Sequence, residues 1–180
     1  MTAVKNDFAI RLGNNADLKS IIELHRKYLY DNIDSSELNK GFVRVMYSEN
    51  EMSEIIRNEE IVITCVDNKI IAYYLLGYRS NAKSLAYQYE ALTTLYLGNS
   101  LLNNLKIAFG AQAIVDEKYR SLRLTGKMLQ VLIENVKFKY DYLFSSITKI
   151  NDNAQKVHER SGYIVIGEDS NKVFVLLKIN

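Results

Sequence analysis

Proline and tryptophan are absent from the 180 residues, cysteine occurs once, as Cys65, and histidine twice, as His25 and His158. A single cysteine excludes an internal disulfide. Two distant histidines and one cysteine without ligand spacing leave no case for a metal site. The opening residues, MTAVKNDFAIRLG, lack the apolar core of a signal peptide, and the longest apolar run, around Ile70–Leu76, is far below membrane-spanning length. The expected location is therefore cytoplasmic, with no membrane partner. A net charge of +2 is too small for a generic nucleic-acid binder, so no nucleic-acid partner is expected and any basic patch matters locally.

With 48% hydrophobic residues and ordinary charge, the chain reads as one domain over 1–180 that buries a real core. The 13 tyrosines, together with abundant Asn, Lys and Ile, are read as an AT-rich coding bias rather than an aromatic binding surface.

Hydrophobic periodicity orders the elements. FAIRLG is a short strand, followed by a helix capped by Asn15 with Leu18, Ile21, Ile22, His25 and Leu29 on one stripe. A second helical region starts near Ser35 or Ser36, with Leu38, Phe42, Val45 and Met46 in line, and EMSEIIRNEE adds a further turn or two. Glu60–Val66 and Ile70–Tyr78 flank the turn residues DNK and form an antiparallel hairpin. The segment 79–106 has helical spacing and is expected as a mostly helical insertion. IAFGAQAIV resumes a strand, Leu122–Tyr140 is an amphipathic helix, YLFSSITKI a strand, Asn151–Ser161 a short helix, and YIVIGE and KVFVLLKI a final antiparallel pair. This is a mixed α/β order.

The stretch VDEKYRSLRLTGKML places Arg120, Arg123 and Lys127 around a strand-to-helix turn. Such a turn exposes the first free N–H groups of the helix and the positive end of its dipole, so basic side chains add to a site that already attracts anions.

The element order and two local patterns resemble the GCN5-related N-acetyltransferase (GNAT) superfamily over nearly the whole chain. In that family the strand-turn-helix carries Arg or Gln, two residues, Gly, one residue, then Gly or Ala. Arg120 matches the first position, while Arg123 and Thr125 stand at the two small-residue positions, a departure because glycine there permits unusual backbone angles. A register shifted by three puts Gly126 at the first glycine but Met128 at the second and lengthens the loop, so the first register is preferred. The second pattern is NDNAQKVHERSGY, in which Asn151, Ala154, His158, Glu159, Arg160, Gly162 and Tyr163 fall on the family's segment without gaps.

The resemblance implies a GNAT fold, a central and mostly antiparallel sheet with helices on both faces and splayed strands at 108–115 and 142–150. It implies acetyl-CoA, or another acyl-CoA, as co-substrate. Ala113, Ile114 and Val115 are assigned to the pantetheine arm, Arg120 and the backbone of Leu122, Arg123, Leu124, Thr125, Gly126 and Lys127 to the pyrophosphate, and Asn151 to the pantetheine. His158 stands where the family often has Tyr, near the departing sulfur, and its ordinary pKa suits acid or base work. Gln112 lies where some relatives carry a glutamate; it cannot accept a proton usefully, but it can orient a water. Glu90 is read as an exposed helix residue and His25 as a core-edge residue.

The implied activity is direct transfer of acetyl to a primary amine on a small molecule or peptide. Two readings stay open beside it: a longer-chain acyltransferase using acyl-CoA or acyl carrier protein, with Leu85, Leu92, Leu95, Leu101 and Leu102 shaping a tunnel, and a non-catalytic acyl-CoA-binding module. The sequence leaves open the acceptor and whether the chain forms a homodimer.

Overall fold

A computed structural model describes residues 8–77, 85–109 and 112–180. The first sheet has the order β1 (Ala9–Leu12), β2 (Ile61–Val66), β3 (Lys69–Leu75), β7 (Gln112–Val115), all antiparallel. The second has the order β6 (Ile107–Phe109), β8 (Tyr142–Thr148), β10 (Lys172–Lys178), β9 (Ile164–Glu168) and is antiparallel except for the parallel β6–β8 pair. A minor hairpin pairs β4 (Tyr96–Leu97) with β5 (Ser100–Leu101). Five α-helices complete the described fold: α1 (Leu18–Lys27), α2 (Glu49–Arg57), α3 (Ala86–Leu92), α4 (Leu124–Val136) and α5 (Asp152–Arg160). None of the described helices is long and apolar enough to cross a membrane.

Strand β2 is buried along its whole length because both faces of the sheet are covered. Ile61, Ile63 and Cys65 join the core layer that includes α1 and α2, while Val62 and Val66 join the layer that includes α4. Alternation of side chains along a strand sends neighbours to opposite faces. Asp67 and Asn68, both at positive φ, make the tight β2–β3 turn that the hairpin signal implies. Helix α4 buries Leu124, Met128, Leu129, Leu132 and Val136, the expected stripe, and leaves Ile133 partly buried.

Four expectations are corrected. IAFGAQAIV is not one strand: its first part is β6, in the second sheet, and its last part β7, in the first. Asn14, not Asn15, caps the first helical segment: its side chain accepts from the Ala16 N–H, and Asp17 returns a bond to the Asn14 N–H. The second helical region is only a 3₁₀ turn over Ser35–Lys40; beyond Gly41 the chain is extended, bridged at Leu29–Val43. Phe42, Val43, Val45 and Tyr47 are buried whereas Arg44 and Met46 are exposed, so from Val43 on a period of two won over the apparent helical spacing. In the segment expected to be mostly helical, the described part holds one seven-residue helix, α3, then the β4–β5 hairpin and a 3₁₀ turn at Leu102–Asn104; its first residues, 79–84, lie outside the described residues. Leu85, Leu92 and Leu102 belong to the core.

A buried side-chain hydrogen bond is among the contacts that tie the two sheets. Tyr74 of β3 and Tyr163, just before β9, share a hydrogen bond of 2.9 Å between their hydroxyls. Tyr74→Phe strands the Tyr163 hydroxyl in the core, so it should cost about 1–3 kcal/mol by urea denaturation. The double change Tyr74→Phe, Tyr163→Phe should recover most of that loss; equal stabilities of all three variants would show that the bond contributes nothing.

Candidate functional site

The parallel ladder between β6 and β8 ends at the pair Phe109–Phe144. Beyond it β8 continues beside β10 to Thr148, while β7 pairs with β3, and no described ladder joins β7 to β8. The two strands splay, and a cleft of about 340 Å³ opens between Gln112–Val115 and Ser145–Thr148. The splay expected from the family resemblance is thus present, and its walls carry backbone that the sheet does not use on that side.

The mouth of the cleft is held by the connection between α1 and α2. Arg120 donates from Nη1 to the Lys40 carbonyl at 2.9 Å and from Nε to the Val115 carbonyl at 3.2 Å. Asn151 caps α5 by accepting from the Ala154 N–H at 3.1 Å, and its Nδ2 donates to the Phe42 carbonyl at 3.3 Å. Asn153 donates to the Lys40 carbonyl at 3.2 Å. Gly41 sits between these anchors at φ +111°, where a Cβ would come within 3.3 Å of Asn153 Nδ2. Farther back, His25 bridges the Tyr73 hydroxyl at 2.6 Å and the Val45 carbonyl at 2.8 Å. It is a fully buried support for the extended segment, deeper than the core-edge place expected for it.

The turn that leaves β7 is pinned to α1. Lys27 pairs with Asp116 at 2.9 Å, and the Tyr28 hydroxyl accepts from the Glu117 N–H at 2.9 Å. After a 3₁₀ turn over Glu117–Leu122, Arg123 takes φ 55°, ψ 32° and α4 begins. This left-handed conformation is the one a glycine at that position would adopt without strain. Arg123 makes no side-chain cap, so the first N–H groups of α4 have no side-chain acceptor from it. Of the residues assigned to this turn, Arg120 and Thr125 line the cleft; Leu122, Arg123, Gly126 and Lys127 are exposed, and Leu124 is core. A Cβ on Gly126 would meet nothing within 4 Å.

Ala113, Ile114, Val115 and Asn151 line the same cleft, as do Gln112 and His158. His158 Nδ1 lies 2.8 Å from the Ala154 carbonyl, which can only accept, so Nδ1 carries the proton and Nε2 presents a lone pair. Burial pushes the His158 pKa below its ordinary value, against the Ala154 bond, so the neutral ring prevails at pH 7. Tyr163 closes on the ring edge-on at 4.7 Å between centroids. His158 Nε2 and Gln112 Oε1 are buried acceptors with no hydrogen-bond partner among the described residues. Glu90 is exposed on α3 and is not part of the cleft lining.

Other lining residues escaped the sequence reading: Phe42 and Arg44 on the extended segment, Gln88 on α3, Ser145 and Ser146 on β8, and Lys172 on β10. The alternation from Val43 to Tyr47 was the available signal for Arg44; Gln88 and Lys172 reach the cleft only through tertiary packing. No cluster of metal-binding side chains occurs among the described residues.

Comparison with protein-family models and with curated proteins finds no match. Among solved structures, the PaiA N-acetyltransferase of Thermoplasma acidophilum in complex with coenzyme A superposes with a TM-score of 0.65 at 15% identity, covering 96% of this chain and 99% of that one. A GNAT-family acetyltransferase of Listeria monocytogenes gives 0.63 at 12% identity, over 99% and 98% of the two chains. YncA of Salmonella typhimurium, solved with its cofactor acetyl-CoA, gives 0.61 at 15% identity, over 97% and 95%.

The turn at Arg123 predicts a mutational asymmetry. Arg123→Gly should leave folding stability within about 1 kcal/mol, since relief of strain is offset by a more flexible unfolded chain. Arg123→Val should lose about 1–2 kcal/mol because a β-branched residue resists positive φ. Equal urea midpoints for the two variants would mean that the turn relaxes.

Proposed function

We propose that this chain, which has the fold of the GNAT-family acetyltransferases, is an acyl-CoA-dependent N-acyltransferase that moves an acetyl group from acetyl-CoA to a primary amine. The observation that carries the reading is the splay between β7 and β8, which leads from strand edges that no described ladder joins to the start of α4. An extended arm bearing amides can pair with a strand edge as another strand does, and a pyrophosphate suits a helix N-terminus without a side-chain cap. Both features of coenzyme A are thereby met by backbone groups, which explains how the substitutions at Arg123 and Thr125 are tolerated.

In this reading Ala113, Ile114 and Val115 face the pantetheine arm, and Leu122 to Lys127 offer amides to the pyrophosphate. The two bonds that Arg120 makes to carbonyls hold the turn, so its charge acts close to the phosphates while its geometry serves the fold. The Asn151 amide is already engaged at both ends, and what it offers the arm is its second N–H and a remaining oxygen lone pair.

The tautomer of His158 assigns the proton. With a lone pair on Nε2 and a depressed pKa, the ring works as a base rather than as the acid implied by the usual tyrosine. The amine nitrogen attacks the thioester carbon, its excess proton passes to His158 Nε2, the C–S bond breaks, and the departing thiolate takes that proton from Nε2, which returns the ring to its neutral form. Gln112 Oε1 can accept from the amine and hold its remaining N–H groups in line. Packing of Leu85, Leu92 and Leu102 into the core favours acetyl over a long acyl chain.

Acetyl-CoA at about a hundredfold excess over its dissociation constant should add roughly 2.7 kcal/mol to stability, about 5–10 °C in melting temperature. No shift with acetyl-CoA, or with longer acyl-CoAs, at millimolar concentration would overturn the cofactor assignment.

His158→Ala should lower the single-turnover rate by about 10²–10⁴-fold with little change in acetyl-CoA affinity. A base must be neutral to act, so the wild-type rate should fall on acidification through a pKa below His158's ordinary value, and the variant should lack that limb. A His158→Ala variant with full rate and the same acid limb would leave the proton to water.

A further inference from the structure

We infer that the amine acceptor carries a carboxylate, held by Arg44 and Lys172, so that the substrate class is free amino acids or closely similar amino acids bearing both groups. This rests on the acyltransferase reading of the same cleft and adds its specificity.

Arg44, on the extended segment, and Lys172, on β10, both line the cleft. Neither has an ion pair among the described residues. Aromatic faces position them instead. The Arg44 guanidinium lies 3.8 Å from the centre of the Tyr30 ring and 5.3 Å from that of Phe42, while Lys172 Nζ lies 4.1 Å from the centre of Tyr87. The Phe174 ring stacks on Tyr87 at 5.8 Å and fixes that platform.

The two cations sense each other. Burial and the charge of Arg44 both press the half-buried Lys172 ammonium below its ordinary pKa, and Asp169 opposes them. Asp169 does not neutralise the pair by contact: its Oδ1 accepts from the Asn171 and Lys172 backbone N–H groups at 2.7 Å each, closing the β9–β10 turn. Two like charges at one cleft wall without a matching anion cost folding free energy that an anionic ligand would recover. The planar fork of Arg44 beside the point charge of Lys172 suits a carboxylate.

Elsewhere in the same cleft stand the opposite requirements, the unpartnered acceptors His158 Nε2 and Gln112 Oε1. Acceptors call for an N–H-bearing group and cations for an anion. A ligand that satisfies both, in the part of the cleft that the pantetheine arm leaves, is a small molecule with an amine and an acid.

The test uses the full chain with acetyl-CoA and three matched pairs: alanine against ethylamine, methionine against 3-(methylthio)propylamine, and phenylalanine against 2-phenylethylamine. Release of free CoA thiol gives kcat/KM, and calorimetry gives acetyl-CoA affinity. In at least one pair the amino acid should exceed its amine by about tenfold or more, the discrimination of one charge-assisted contact. In the double variant Arg44→Gln, Lys172→Gln that ratio should fall to within about twofold, through KM, with acetyl-CoA affinity unchanged and the melting temperature not lowered. Amines that match or beat their acids in every pair, a preference that survives the double variant, or bound acetyl-CoA with turnover of none of the three acids would each overturn the inference. Failure to bind acetyl-CoA at all would instead strike the acyltransferase reading beneath it.

Discussion

The site depends on β8 parting from β6 after Phe144. A strand in the middle of a sheet has both edges committed, and one that leaves its neighbour exposes donors and acceptors that must find other partners. Here the divergence is maintained from outside. Lys40 and Phe42 are held by Arg120 from one strand's exit and by Asn151 and Asn153 from the other's, so one loop spans the gap. Gly41 lets that loop bend between its anchors. The Tyr74–Tyr163 bond ties the two sheets elsewhere. Opening and closure are thus set by different residues, and the cleft has a fixed width without a metal or a disulfide among the described residues.

Within the cleft, chemistry follows from which polar atoms the fold leaves over. Arg120 gives Nε and Nη1, and Asn151 one Nδ2 hydrogen, to backbone carbonyls of the cleft's rim. His158 spends one nitrogen on Ala154 and keeps the other, which decides both its tautomer and the direction in which it can move a proton. A histidine bonded through Nδ1 to an acceptor-only group is a different reagent from a tyrosine in the same place, because its free atom receives before it gives.

Most strands and the long helix were legible in the sequence because their signals are local: apolar, β-branched runs in β2 and β10, a 3.6-residue stripe in α4, an Asp-Asn turn. The helix start at Asn151 and the glycine stop at Gly162 were readable for the same reason, with Gly162 at φ +87° after α5. The segment from Ser35 to Tyr47 misled because Leu38, Phe42 and Val45 satisfy a helical spacing by coincidence, and only burial by α1 and His25 decides for an extended chain. Arg44 was lost with it. Lys172 was invisible for a deeper reason: a lysine in a strand carries no sign of what faces it until β10, α3 and the extended segment are packed together.

Arg123 shows that a backbone shape need not be filled by the residue that adopts it most easily. The turn into α4 is specified by a pair of dihedral angles, and glycine is only the cheapest residue to fill them. Once neighbouring ties such as Lys27–Asp116 and Tyr28–Glu117 hold the loop, the strain of a side chain there is absorbed by the rest of the domain. An unbranched side chain can then keep the left-handed turn that glycine would hold without strain, whereas a β-branched one resists it. The requirement at this turn is thus one of curvature, and more than one side chain can meet it.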